Sequence, residues 1–299
     1  MNTRVFATGT ERLVDPMKVG EVHYLQTKSR RLPVFMQRKI IKSATKKATK
    51  MPFIVEPYAL FLFYEISDPR KVQKFLPDGY EPAEFSIFKG DAPKYYGIMS
   101  NFRIHTSVFW GTRSEFYLVA KNTRTGLLSW VIMDYMSDTI SYDEKHGLRS
   151  PDVKSAVMTT TCDAEVLVDI KTADDTKCVE ATASLKNAKM RPLDQTLWIE
   201  GNTSIAYGRL AGEPDSDLFS LTFLPEEMRE ALDIPLSDVH NVKAYTKSAP
   251  VAATLAKVVC FPYAQHMLSD APGNTTHYGS EKALRAAAES VDFSKLNTL

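Results

Sequence analysis

Short runs of alternating or continuous apolar residues dominate the chain after residue 50. Segments 59–65, 96–103, 115–121, 128–134, 153–161, 164–170, 178–185, 217–223 and 242–246 are rich in β-branched and aromatic side chains and predict strands. Turn chemistry separates them: residues 122–126 (NTRTG) read as a hairpin loop and 172–176 (TADDT) as another. Helical signals are few. Residues 68–75 (DPRKVQKF) open with an Asp cap and a Pro, 224–232 begin with Pro-Glu-Glu, and 280–290 are alanine-rich. Closely spaced strands joined by hairpin-like turns argue for a mainly β, α+β fold, an antiparallel barrel or sandwich with a few peripheral helices.

The N-terminal fifty residues read differently. From residue 28 to 50 there are nine basic side chains and no acidic one. Met36, Ile40, Ile41, Ala44 and Ala48 recur at helical spacing, with Pro33 near the start, which predicts a basic amphipathic helix. The expected organisation is a basic arm over 1–50, one β domain over 51–270 and a tail with a short helix over 271–299.

Charge sharpens that division. The 299 residues carry 37 Lys and Arg against 36 Asp and Glu, a formal +1. Residues 1–50 hold 12 basic and 3 acidic side chains, a net +9, so the remainder carries −8. A uniformly basic nucleic-acid binder is excluded. The arm suits an acidic body in a neighbouring subunit of a homo-oligomer, an anionic membrane touched peripherally through residues 28–50, or the steering of an anionic substrate. Aromatic residues are not interleaved with its charges, which argues against nucleic acid. Hydrophobic residues at 44% and charged at 24% describe a soluble globular protein. Cys162, Cys178 and Cys260 form neither a disulfide framework nor a zinc pattern, and no apolar stretch resembles a signal or a span, so a cytoplasmic location is expected.

Common catalytic motifs are missing: there is no phosphate loop, GxGxxG, GxSxG, HExxH or CxxC. The six histidines lack metal-ligand spacing, so neither a metal nor another cofactor is expected. Two segments concentrate chemistry instead. Residues 134–151 (DYMSDTISYDEKHGLRSP) gather Tyr142, Glu144, Lys145, His146 and Arg149; a lysine or carboxylate at an apolar mouth can have its pKa moved, and a solvated turn gathers the same charges. Residues 101–113 (NFRIHTSVFWGTR) set Arg103, His105 and Arg113 among Phe102, Phe109 and Trp110, a pattern for a pocket holding an apolar acid or for a half-exposed strand.

The succession SDPRKVQKFLPDGYEP (67–82), YYGIMSNF (95–102), SVFWGTRSEFYLVAK (107–121) and SYDEKHGL (141–148) resembles the acetoacetate decarboxylase-like superfamily over about residues 55–150. The resemblance implies an antiparallel barrel with an internal apolar pocket, usually in an oligomer, and a lysine turn of the form YPKKLG whose first lysine forms an imine with substrate. In this chain Glu144 stands at the first lysine and Lys145 at the second. A one-residue shift makes Lys145 the nucleophile, beside an anion that stabilises its ammonium form. The family's pocket acids and arginine fall near Ala59, Gly97 and residues 100–103, where no glutamate occurs.

The implied function is chemistry next to the carbonyl of an oxo acid, lipid-like or a secondary-metabolite intermediate. It proceeds through an imine at Lys145 with decarboxylation, or through proton transfer at Glu144 with double-bond isomerisation or hydration. Tyr142, Arg103, His105, Trp110 and Arg113 are the candidate substrate-binding residues. The alternatives are a non-catalytic barrel that binds an apolar anion, and an interaction protein whose arm docks a partner.

Overall fold

A computed structural model describes residues 3–45, 50–143, 146–208, 220–246, 254–270 and 278–296. Three helices precede the first strand: α1 (Thr3–Glu11), α2 (Pro16–Ser29) and α3 (Val34–Thr45). Asp15 caps α2, accepting from the Met17 amide at 3.0 Å, and Pro16 occupies the first turn. The basic amphipathic helix expected with Pro33 near its start is α3, which holds Met36, Ile40 and Ile41, whereas α1 and α2 were not expected. Pro33 separates α3 from α2, since a proline inside a helix removes a backbone bond and disfavours helix at the residue before it. Residues 46–49 lie outside the described residues, and Lys50 opens a strand.

One large sheet of twelve strands organises the body. Its first half supplies β1 (Lys50–Val55), β2 (Ala59–Glu65), β3 (Tyr80–Pro82), β4 (Tyr96–Thr106), β5 (Trp110–Asn122) and β6 (Leu128–Ser137), with the short helix α4 (Arg70–Gln73) before β3. A separate hairpin follows, β7 (Ser141–Asp143) with β8 (Gly147–Arg149). Strands β9 (Val153–Thr160), β10 (Glu165–Thr172) and β11 (Cys178–Ser184) then begin a second, four-stranded sheet. The chain returns to the large sheet through β12 (Lys189–Pro192), β13 (Ile205–Tyr207), β14 (Leu221–Phe223) and β15 (Glu230–Ile234). Next, β16 (Val239–Tyr245) joins the four-stranded sheet beside β11, and β17 (Leu255–Phe261) and β18 (Gln265–Asp270) complete the large one. Helix α5 (Glu281–Glu289) ends the described chain, capped by Ser280, which accepts from the Ala283 amide at 3.2 Å.

Two cores result. One face of the large sheet surrounds Phe61, Phe63, Ile98, Ile104, Trp130 and Phe261, and the π-type turn Thr196–Glu200 inserts Leu197 and Trp198 among them. The other face packs on the four-stranded sheet through Leu60, Leu62, Phe116, Val131, Val166 and Val168. Strand β10 shows why: Val166, Val168 and Ile170 are buried while the residues between them are not, the period-two pattern of a one-sided sheet.

The expected closed antiparallel barrel does not form among the described residues. The large sheet is open, running from β12 to β14, and β13 pairs parallel with β6. Its outer strands are too short to complete a ladder: β13 and β14 have three residues each, and β12 ends on Pro192, which has no amide to donate. Leu284 of α5 and the Thr196–Glu200 turn cover the core instead. The helix expected over 224–232 is also corrected. Only Pro225–Met228 forms a single 3-10 turn, because Glu230–Ile234 is taken by ladders to β12 and β17.

Candidate active site

The β4–β5 ladder decides which sequence candidates can act together. Phe102 faces Arg113 across it, Arg103 faces Thr112, and His105 faces Trp110. Side chains alternate between faces along a strand, so Arg113 lies on the face of Phe102 and Ile104, and Arg103, His105 and Trp110 lie on the other. The segment 101–113 is therefore two sites, not one pocket. On the outer face Glu56 gathers the rest: it bonds the His105 ring at Nε2, accepts from Trp110 Nε1 at 3.3 Å and lies 3.6 Å from Arg103 Nε. The His105 and Trp110 rings lie with centroids 3.7 Å apart, tilted by 42°, and Trp110 is exposed.

Inside, β5 places Arg113, Glu115 and Tyr117 on one face at successive alternate positions. Glu115 is buried, and the Arg113 side chain is 12% exposed. Arg113 Nε approaches Glu115 Oε1 at 3.0 Å without the alignment of a hydrogen bond. The Tyr117 hydroxyl donates to Glu115 Oε2. The guanidinium carbon lies over two aromatic rings, 4.8 Å from the Tyr135 centroid and 5.9 Å from that of Phe109. Its two terminal nitrogens have no hydrogen-bond partner among the described residues. Burial alone opposes the guanidinium charge, but Glu115 and the facing tyrosines outweigh it and hold Arg113 charged. Burial and the adjoining Glu115 carboxylate push the Tyr117 hydroxyl well above its ordinary range, so it stays a donor.

Sequence reasoning found Arg113 but not Glu115, Tyr117 or Tyr135. Glu115 faces Ser100 across the ladder, so a glutamate does enter beside residues 100–103, from the neighbouring strand. The available signal was the period-two run Arg113, Glu115, Tyr117, Val119 within an apolar strand.

Tyr135 connects this interior to the hairpin, its hydroxyl 3.2 Å from Ser141 Oγ. Tyr142 is half-buried on β7, in register with Leu148. Glu144 and Lys145, the two candidate catalytic residues of the turn, lie outside the described residues. Beside the hairpin is a cleft of about 260 Å³ lined by Asp134, Tyr135, Ser141, Arg149, Asp152 and Lys177, among others. Lys177 Nζ reaches Asp134 Oδ1 at 2.8 Å, the Tyr135 carbonyl at 2.8 Å and Asp152 Oδ2 at 3.4 Å. Burial would lower the lysine, but the two carboxylates win and raise it, which keeps Lys177 an ammonium. That disqualifies it as an imine-forming amine. Helix α3 braces the hairpin from outside: Gln37 Oε1 accepts from the Leu148 amide at 2.7 Å, and Gln37 Nε2 donates to the Leu32 carbonyl at 2.8 Å. Among the described residues no three His, Cys, Asp or Glu side chains gather as metal ligands.

No family model matches the sequence, and no curated protein matches it. Among solved structures, an acetoacetate decarboxylase from Legionella pneumophila is similar, with 13% identity and a TM-score of 0.47 over 75% of this chain and 87% of that one. A second acetoacetate decarboxylase structure gives 13% identity and a TM-score of 0.41 over 77% of this chain and 91% of that one.

Proposed function

We propose that the chain is a lyase-type enzyme that decarboxylates an oxo acid, with Arg113 binding the substrate carboxylate and Lys145 forming the imine. The observation that carries the reading is the Arg113 guanidinium. It is largely buried, charged, ion-paired with Glu115 through Nε, over two aromatic rings, and without a hydrogen-bond partner for its terminal fork among the described residues. A planar fork in an apolar setting matches a carboxylate bidentately. Perturbed ionisable groups concentrated on one apolar face are the usual mark of a functional site.

Tyr135 supports a link between the two parts, since one ring lies against Arg113 and its hydroxyl meets the hairpin whose turn carries Glu144 and Lys145. In the proposed reaction the lysine amine attacks the ketone carbon and water leaves. The protonated imine then takes up the electron pair of the bond to the departing carboxylate, and carbon dioxide leaves. Protonation of the enamine and hydrolysis return the amine. Tyr117, held protonated, keeps Glu115 from competing with the substrate for the guanidinium fork.

Borohydride trapping with a panel of oxo acids, read by peptide mass spectrometry, tests the proposal. A reduced adduct on Lys145, lost in Lys145→Met and weakened with raised KM in Arg113→Met, is the expected result. Turnover without any adduct moves the chemistry to proton transfer at Glu144. Absence of both overturns the enzyme reading and leaves a non-catalytic protein that binds an apolar anion.

A further inference from the structure

The outward sides of α2 and α3 concentrate the exposed apolar groups of the molecule. Twelve large hydrophobic side chains are exposed among the described residues, and six of them, Met17, Tyr24, Leu25, Phe35, Met36 and Ile40, stand on these two helices. Isolated exposed apolar residues are ordinary, but half of them on two consecutive helices is a surface with a purpose. Helical geometry explains the grouping. On α2, Val19, Val22 and Gln26 turn toward the body, which places Met17, Tyr24 and Leu25 on the opposite side. On α3, Gln37 is buried against the hairpin, while Phe35, Met36 and Ile40 are exposed.

Cations flank these groups. Residues 16–45 contain seven Lys and Arg against one acidic residue, Glu21, a net of +6. Lys28 Nζ lies 5.2 Å over the Tyr24 ring. Two partners combine apolar contact with negative charge: an anionic bilayer, and the acidic body of a second copy. Lysine decides between them. Lysine supplies four of the seven cations, Lys18, Lys28, Lys39 and Lys42, whereas the cores of protein interfaces are depleted in lysine and enriched in arginine. A long apolar stem ending in an ammonium suits the boundary between acyl chains and headgroups. No helix among the described residues is long and apolar enough to cross a membrane, so the helices would lie on one.

We propose that the outward face of α2 and α3 docks on an anionic phospholipid bilayer, with both helices lying in the headgroup plane. Docking would bring the β7–β8 hairpin to within about one helix diameter, roughly 10 Å, of the lipid surface, because α3 rests directly on it.

Co-sedimentation of the full chain with vesicles tests this. Phosphatidylcholine vesicles are compared with an equal mixture of phosphatidylcholine and phosphatidylglycerol, alongside light scattering of the free protein. The expected result is binding to the mixed vesicles about tenfold or more tighter than to phosphatidylcholine alone, weakened by salt. Met17→Ser with Leu25→Ser, and separately Lys39→Glu with Lys42→Glu, should each weaken that binding about tenfold while leaving the far-UV spectrum unchanged. A wild-type chain that stays in the supernatant with mixed vesicles overturns the proposal, and that comparison does not depend on any variant folding. Variants that bind vesicles normally but lower the oligomeric mass overturn it too, and assign the face to a second copy.

Discussion

Arg113 and Glu115 lie two residues apart on β5 with Nε and Oε1 at 3.0 Å, both turned toward the apolar face that holds Phe102 and Ile104. Desolvating two charges costs several kcal/mol apiece by general estimates, and their attraction repays that only when further hydrogen bonds complete the geometry. Tyr117 completes it for the carboxylate, but the guanidinium fork remains uncompleted. An arrangement that stops short of its own best stability fits a group reserved for a ligand.

The pair should therefore be strongly coupled. Arg113→Met leaves Glu115 as a buried uncompensated carboxylate and should lower unfolding free energy by about 3–5 kcal/mol. Arg113→Met combined with Glu115→Leu should recover most of that loss while keeping the raised KM of the single variant. Urea unfolding of the two singles and the double measures the coupling, and strictly additive losses would show that the pair is not a unit.

Tyr117→Phe removes the donor to Glu115 Oε2 and nothing else of its size. A lost hydrogen bond to a buried charge should cost about 1–3 kcal/mol. Absorbance titration gives an independent reading. The Tyr117 hydroxyl is held well above its ordinary range by burial and by Glu115, so the variant and the parent should release the same number of phenolic protons up to the pH of unfolding. A smaller release in the variant would place Tyr117 in solvent.

Much of the body was legible because one-sided burial writes itself as alternation. Residues 153–161, 164–170 and 178–185 were read to within a residue or two, and 59–65, buried on both faces, was read to its ends as a continuous apolar run instead. What escaped depended on distant partners. Strand β18 buries His266, Ser269 and Asp270, polar residues that look exposed until Glu227, Ser220 and Lys50 are brought to them. Helix α2 escaped because Met17, Tyr24 and Leu25 point outward and blur its apolar face. The site was half legible for a similar reason. Arg113 stood out by type, but only the register through the turn after Thr106 shows that it shares a face with Phe102 and Glu115 and not with Arg103 and His105.

Gly147 ties the arm to the hairpin. Its φ of +77° lies in the left-handed region, and a Cβ there would collide with the Gln37 carboxamide. Gly147→Ala should cost about 1–2 kcal/mol from backbone conformation alone, with a further loss from the contact. Adding Gln37→Ala should relieve the collision but not the backbone term. Limited proteolysis should show faster cleavage at Lys39 and Lys42 in Gly147→Ala than in the parent. Equal rates would mean that α3 stays docked and the hairpin yields instead.

Stability should also fall as pH rises through a window set by His266. Its Nδ1 lies 2.8 Å from Glu227 Oε1, its Nε2 lies 3.2 Å from Glu11 Oε1, and its amide donates to Glu227 Oε2 at 2.6 Å. Only the doubly protonated ring can donate to both carboxylates. Burial opposes that charge, but the two glutamates outweigh it and raise the histidine above its ordinary 6.5. The folded chain therefore holds the proton more tightly than the unfolded chain does. The contribution is complete below the unfolded value and is lost as pH rises through the folded one. Glu11 ends α1, and Phe6 of that helix and Leu13 just after it pack on Leu224, Leu268 and Ala288, so the loss should loosen the N-terminal helix before the sheet. Denaturant unfolding of the parent should weaken from pH 6 toward pH 9 by roughly the worth of a charged hydrogen bond, about 1–3 kcal/mol, discounted because Glu11 is half exposed. His266→Gln should flatten the profile over the same range, and Glu11→Gln should flatten it partly. A parent profile that is flat or rises there would mean that His266 is neutral in the folded chain and that α1 is held by its apolar contacts alone.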